Sequence, residues 1–361
     1  MLRTFSLCLI TCAFSFTGQA QSPPCPTCAL PDTSSTHPTP ALTISGSVDL
    51  YYRYDLARST QNNYTSFTNS HDQFRLGMAS VKIEHKTARL DMVADIGVGP
   101  RAREFAYTDD GITQAIKQLY ISYSFNNWLK VTGGTWATHV GYEVLDANAN
   151  RNYSMSYLFT NGPFSHTGVK ADFTAGKSGL MIGIANPTDY RAIPDGGHSN
   201  KNIIAQYSYA ASDNLKIYLN YAGGRDIEDN RTHQYDIVLT ARASSLVSFG
   251  FNSSLNKSSL ASEKYASSRS WWGSALYCSI DPKPWYGLSL RTEYFNDQKG
   301  VKLPAPASIV ATTLSANFKY KGFTFIPEFR LENANTSVYT YHDGAPTSNA
   351  ASFLFAAVYS F

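Results

Sequence analysis

Beyond its first twenty residues the chain has no apolar run approaching 18 residues. A helix needs about 20 apolar residues to cross a bilayer, so helical spans are excluded, while a closed sheet of alternating strands stays open. Charge is scarce as well. Asp, Glu, Lys and Arg make up 16% of the 361 residues, against about 25% in an ordinary water-soluble domain. Neither sign dominates: the formal net charge is +3, or +2 once Arg3 is removed with a leader, which leaves no basic footprint for nucleic acid. The five cysteines make no disulfide framework, because Cys8 and Cys12 fall in the leader and Cys278 stands alone in a strand pattern. Cys25 and Cys28 remain, in the Pro-rich run QSPPCPTCALPDTSSTHPTP, without the following histidine that c-type haem attachment needs. They read as a tail disulfide or two free thiols, with metal or redox chemistry as the alternative. There is no G-x-S-x-G elbow, no G-x-x-x-x-G-K-[ST] loop and no H-E-x-x-H, and the eight histidines lie at no ligand spacing. Neither an enzyme nor a cofactor is expected; a serine paired with His139 or His166 on the outside of the sheet is the residual enzymatic alternative.

What is present begins with a targeting segment. Arg3 precedes an apolar stretch at residues 5–16, and Gly18 and Ala20 follow at cleavage spacing, so residues 1–20 read as a secretory signal peptide. A lipoprotein signal ending at Cys12 fits less well, because Thr11 is a poor residue before the cysteine. Residues 21–41, rich in Pro, Ser and Thr, read as a disordered periplasmic tail. Residues 42–361 read as one domain.

Within that domain apolar and polar residues alternate with period two, which sends successive side chains to opposite faces of a sheet. Leu42, Ile44, Val48, Leu50, Tyr52 and Tyr54 share one face, and Thr43, Ser45, Ser47, Asp49, Tyr51, Arg53 and Asp55 the other. Late in the chain Tyr286, Leu288, Leu290 and Tyr294 oppose Ser289, Arg291 and Glu293, while Phe323, Phe325, Phe329 and Leu331 oppose Thr324, Glu328, Arg330 and Glu332. About sixteen such segments follow one another. Their connections alternate between tight turns, such as Asn126-Asn127, Gly176-Lys177, Asp281-Pro282-Lys283 and Lys321, and eight long polar loops. Turns at one end and long loops at the other, with an even strand number, is the plan of a transmembrane antiparallel β-barrel. Trp128, Trp285, Tyr286, Tyr320 and Tyr359 fall near the turn-side ends, where an aromatic girdle meets headgroups. About sixteen strands also enclose an interior too wide for wall side chains to fill, so the apolar face is expected outside.

The chain resembles the OmpL-like β-barrel porin family of Gram-negative bacteria from about Leu42 onward. Three stretches carry the resemblance: ISGSVDLYYRYD at 44–55, GGTWATHVGYEVLDANANRNYSMSYLFTNGPFSHTGVKA at 133–171, and the pair YGLSLRTEYFND at 286–297 with FTFIPEFRLENAN at 323–335. The resemblance implies an outer-membrane channel for passive diffusion of small hydrophilic solutes and ions, surrounded by lipid and lipopolysaccharide, with a homotrimer as one possible assembly. It also implies that Phe353, Phe355, Ala357, Tyr359 and Phe361 form a C-terminal signal for the barrel-assembly machinery. In porins of this size the third long loop folds into the channel. Glu143, Asp146, Arg151 and Tyr153 are accordingly the candidate constriction residues. The polar faces give the candidate pore wall: Arg53, Arg89, Lys130, Lys170, Lys216, Arg242, Arg291, Lys319 and Arg330, beside Asp49, Asp91, Asp95, Asp172, Asp236, Glu293, Glu328 and Glu332. The signs nearly cancel, so at most a weak ion preference is expected. The competing reading is an adhesin or surface receptor acting through loop residues such as Tyr64, Tyr107, Tyr190 and Tyr339.

Overall fold

The structure, a computed structural model, describes residues 41–361. The expected signal peptide and almost all of the expected tail lie outside the described residues.

Strands β1 (Ala41–Asp55), β2 (Gln73–Lys86), β3 (Leu90–Val98), β4 (Ile116–Ser124), β5 (Leu129–Ala137), β6 (Ser165–Ala175), β7 (Ser178–Ala185) and β8 (Asn202–Ser212) form the first half of one sheet. The second half is β9 (Leu215–Arg225), β10 (Arg231–Arg242), β11 (Val247–Ser259), β12 (Arg269–Lys283), β13 (Tyr286–Asp297), β14 (Ala307–Tyr320), β15 (Phe323–Ala334) and β18 (Asn349–Ser360). A two-stranded ribbon, β16 (Tyr339–Thr340) with β17 (Pro346–Thr347), lies in the last loop. Each long strand pairs antiparallel with its sequence neighbours, and β18 pairs with both β15 and β1, so the sixteen strands close into a barrel. Closure leaves no edge strand with unpaired backbone groups, the condition for a sheet to sit in hydrocarbon.

The period-two pattern sorts the two faces as expected. Leu42, Ile44, Val48 and Leu50 of β1 are exposed on the outside, while Asp49, Tyr51, Arg53 and Asp55 are buried inside. On β13 and β15, Ser289, Arg291, Glu293, Glu328, Arg330 and Glu332 all point inward and are buried. Trp128, Trp285, Tyr320 and Tyr359 are exposed at the turn end, and Trp272, Tyr235 and Phe74 form a second aromatic rim towards the loop end. Such an outer surface is suited to lipid between two interfaces.

The loops run over residues 56–72, 99–115, 138–164, 186–201, 226–230, 260–268, 298–306 and 335–348. The fifth is shorter than the alternation suggests, because β9 and β10 extend to pair Arg225 with Arg231. The turn after β12 is also displaced: Asp281, Pro282 and Lys283 belong to the strand, and Pro284 with Trp285 makes the turn. A β-bulge causes this, since Asp281 and Pro282 together oppose the single residue Gly287. Three other bulges interrupt the ladder, one of them at Ala211 of β8, an extra residue between the pairs Ala210↔Lys216 and Ser212↔Leu215. Gly77 and Met78 of β2 oppose Asp49 alone, and Lys117 of β4 is an extra residue between the pairs Asp95↔Gln118 and Ile96↔Ile116.

The interior at the loop end is filled, and by loops as well as wall side chains. Inward-facing Trp271, Ala275, Phe295, Ile309 and Ala311 pack with Tyr157 and Leu158 of the third loop, Leu303 of the seventh and Tyr339 of the eighth. Phe67, Phe105, Leu145, Met155, Phe159 and Phe164 join the first three loops in a second apolar cluster. Wall side chains alone cannot reach across so wide a ring, and the loops supply the missing volume.

Candidate functional site

The third loop, residues 138–164, turns into the barrel and crosses it. It leaves β5 along the β8–β10 wall, where Nε2 of Gln206 donates to the His139 carbonyl at 3.2 Å and the Gly141 amide donates to Asp236 at 3.2 Å. It then reaches the far wall. Arg291 of β13 donates through Nη1 to Glu143 at 2.6 Å and to the Ser154 carbonyl at 2.6 Å, and through Nη2 to the Met155 carbonyl at 3.2 Å. Carboxylates of the wall meet the loop's own amides: Glu328 accepts from Tyr153 N at 2.8 Å and Ser154 N at 3.2 Å, and Glu293 accepts from Tyr157 N at 2.7 Å. Arg330 closes the cluster, 3.1 Å from Glu293 and 2.8 Å from Glu332. A short helix, α2 (Tyr157–Asn161), follows, capped by the Ser156 hydroxyl, which accepts from Phe159 N at 3.1 Å. Backbone groups forced into a dry interior need partners, and here the wall's charged side chains provide them.

Each of the four candidate constriction residues anchors the loop to a different strand. Glu143 holds β13 through Arg291, and Asp146 holds β4 through Lys117, with Nζ at 2.5 Å. Arg151 makes a two-pronged pair with Asp281 at the turn end of β12, and the Tyr153 hydroxyl donates to Asp49 of β1. Strands β4 and β12 stand on opposite sides of the sixteen-membered ring, so residues 146–151 bridge the lumen. Three of the four bulges fall at these footholds, at Asp49, Lys117 and Asp281. A bulge re-aims a side chain at a chosen point of an otherwise regular wall. Glycine makes room beside two of them: a Cβ on Gly77 would lie 1.6 Å from an Asp49 carboxylate oxygen, and one on Gly287 2.3 Å from Asp281.

The candidate wall residues divide into two groups. Arg53, Arg291, Glu293, Glu328 and Arg330 point inward but are covered, none more than 4% exposed; Arg53 is held by Asp55 at 3.1 Å and the Ser70 carbonyl at 2.7 Å under the first loop. Arg89, Asp91, Lys170 and Asp172 instead line a cavity of about 640 Å³ at the turn end of the β3–β9 wall, together with Lys130, Lys177 and Lys216. Arg242 is exposed at the turn end of β10. Lys117 and Arg101 belong to the site yet escape the sequence pattern. Lys117 sits on a bulge, out of phase with its strand, and Arg101 lies in the loop helix α1 (Pro100–Phe105), fully buried, donating to the Leu145 carbonyl at 3.1 Å.

His139 and His166 do not lie on the outside of the sheet. They are buried side by side inside it, ring centres 5.1 Å apart, and burial pushes His139 down to about 4. Of the loop tyrosines offered for adhesion, Tyr339 is buried, Tyr64 and Tyr190 are half-buried, and Tyr107 is exposed. Tyr64 stacks on the buried Tyr339 and donates to the Val338 carbonyl, and Tyr107 donates to Asp189 at 3.0 Å. Asp189 also accepts from Phe164 N at 2.7 Å and Ser165 N at 2.9 Å, fastening the fourth loop to the end of the third; burial raises its carboxyl to about 6.

Comparison with known proteins agrees with this architecture. No curated protein matches in sequence. Among solved structures, the anion-selective porin from Comamonas acidovorans has a TM-score of 0.60 at 11% identity, over 90% of this chain and 100% of that one. The trimer form of OmpT from Vibrio cholerae has a TM-score of 0.60 at 10% identity, again over 90% and 100%. The channel DcaP of Acinetobacter baumannii has a TM-score of 0.59 at 12% identity, over 89% of this chain and 97% of that one. At such identities the likeness is one of fold. The family profile described as beta-barrel porin-2, OmpL-like, matches residues 41–361. With a closed sixteen-strand barrel, an apolar outer band and an inward third loop already in place, this match over the whole described chain means that the protein belongs to the OmpL-like β-barrel porin family.

Proposed function

We propose that the protein is a general diffusion porin of the Gram-negative outer membrane, with its short turns on the periplasmic side and its loops outside. The single observation that carries this reading is the division of the lumen. The third loop bridges it from β4 to β12, and a cavity of about 640 Å³ lies at the turn end of the β3–β9 wall. Glu143, Asp146, Arg151 and Tyr153 then act by holding the loop across the channel, which sets the width of the passage. Solutes small enough to pass would do so without a chemical step, so selection falls to size and charge. Lipid and lipopolysaccharide would contact the exposed apolar band, and a homotrimer has precedent in the trimer form of Vibrio cholerae OmpT.

Planar-bilayer recording of the refolded barrel tests the proposal. Stepwise currents proportional to salt are expected, with larger steps when residues 143–157 are deleted. A folded barrel that passes no current, with or without those residues, overturns it and leaves the outer loops as the working part.

A further inference from the structure

We infer that the channel prefers anions, passing small inorganic and carboxylate anions more readily than cations of the same size; this rests on the channel reading above. The formal charge of the whole chain, +3, gives little hint of it, because the charges are distributed unevenly over the two walls. On the wall that carries the third loop the carboxylates are covered. Glu143, Glu293, Glu328 and Glu332 are buried and answered by Arg291, Arg330 and loop amides. On the open wall the cations are in the majority: Arg89, Lys130, Lys170, Lys177 and Lys216 line the cavity against Asp91 and Asp172 alone.

Lys170 is itself buried, 3.8 Å from Asp172, so the accessible charges are Arg89, Lys130, Lys177 and Lys216 against Asp91. Arg89, Lys130 and Lys216 make no ion pair among the described residues. The adjoining strands do not reverse the balance. Lys82 and Lys86 flank Glu84 at 3.2 and 3.9 Å and add one positive charge, while Lys117 between Asp95 and Asp146 subtracts one. The surplus beside the cavity therefore stays at three positive charges. Like-signed charges lining a cleft with low-dielectric walls focus their field into the water and raise the local concentration of the opposite ion. Ammonium and guanidinium groups also present N–H donors that fit carboxylate and phosphate oxygens. Ion selectivity in pores arises from such rings of one sign.

The test is the reversal potential of the refolded full barrel across a potassium chloride gradient. Chloride is expected to set its sign, with the preference shrinking as salt rises and the Debye length falls below about 10 Å. Changing Lys130→Gln and Lys216→Gln together should move the reversal potential towards zero while the steps persist. Arg89→Gln, on an exposed turn, should move it the same way by less and serves if the double change does not fold. Salt-proportional steps whose reversal potential is zero or has the potassium sign overturn the anion preference and leave the channel standing. Absence of steps in a folded barrel overturns both.

Discussion

The two walls of this barrel are built by the same rule and used in opposite ways. On β13, β15 and β1 the inward charges are sealed under loops; Arg291, Glu293, Glu328 and Arg330 hold the third loop in place. From β3 to β9, at the turn end, inward charges border an open cavity. The same residue type thus does structural work on one side and faces water on the other. A buried charge left alone costs several kcal/mol, whereas a charge facing water costs little. Which role a wall residue takes depends on where a loop lands, and the loop in question comes from a distant part of the chain.

The comparison breaks most sharply at Arg291. Replacing it with methionine leaves Glu143 and Glu293 buried short of a partner and the Ser154 carbonyl without its guanidinium donor, so Arg291→Met should destabilise the folded barrel by about 3–5 kcal/mol. The matched change on the open wall, Lys216→Gln, should move stability by no more than about 0.5 kcal/mol. Thermal loss of the compact electrophoretic form would measure both, and equal shifts would erase the distinction between the walls. A smaller effect is expected at Gly77. A methyl group there collides with the Asp49 carboxylate that receives the Tyr153 hydroxyl, so Gly77→Ala should cost about 1–3 kcal/mol and hasten proteolysis within residues 143–157. Unchanged cleavage would mean that the Asp49 foothold does not hold the loop. The mildest effect concerns the boundary of the seated loop, at Asp189. Its folded-state carboxyl, at about 6, lies above the ordinary 3.8, so the folded protein takes up this proton before the unfolded chain does. Stability from this group should rise as pH falls from about 7 towards 4, and be flat below. Hydrogen exchange at Phe164 and Ser165 should slow correspondingly more than the intrinsic rate does, and Asp189→Asn should remove that extra slowing.

The strands were legible in the sequence because a barrel wall faces lipid on one side and polar contents on the other, which imposes period two on nearly every residue. Their number, their closure and the outward direction of Leu50 or Phe325 all follow. The jobs of the inward residues were not legible. Arg291 and Lys216 occupy equivalent places in the alternation, and nothing local to either reports that Glu143 comes to rest on one of them. Lys117 was missed for a different reason, since a bulge shifts it out of phase with β4 and the period then assigns it to neither face reliably. The fifth loop and the turn after β12 were misplaced by the same class of event, strand ends whose register only the partner strand determines. The loop tyrosines were polar-looking positions in polar segments, and packing between loops far apart in sequence decided their fate.

The footing of the third loop has a consequence for the order of assembly. Its residues lie near the middle of the chain, yet Asp49 belongs to the first strand, and Glu293 on β13 with Glu328 and Arg330 on β15 belong to two of the last four long strands. Contacts of such wide sequence separation form late, because the chain between them must first be ordered. Until β18 has met β1, the barrel that seats the loop is incomplete, so on the proposed channel reading the nascent barrel would be wider-mouthed and the passage would take its final width only as the ring closes.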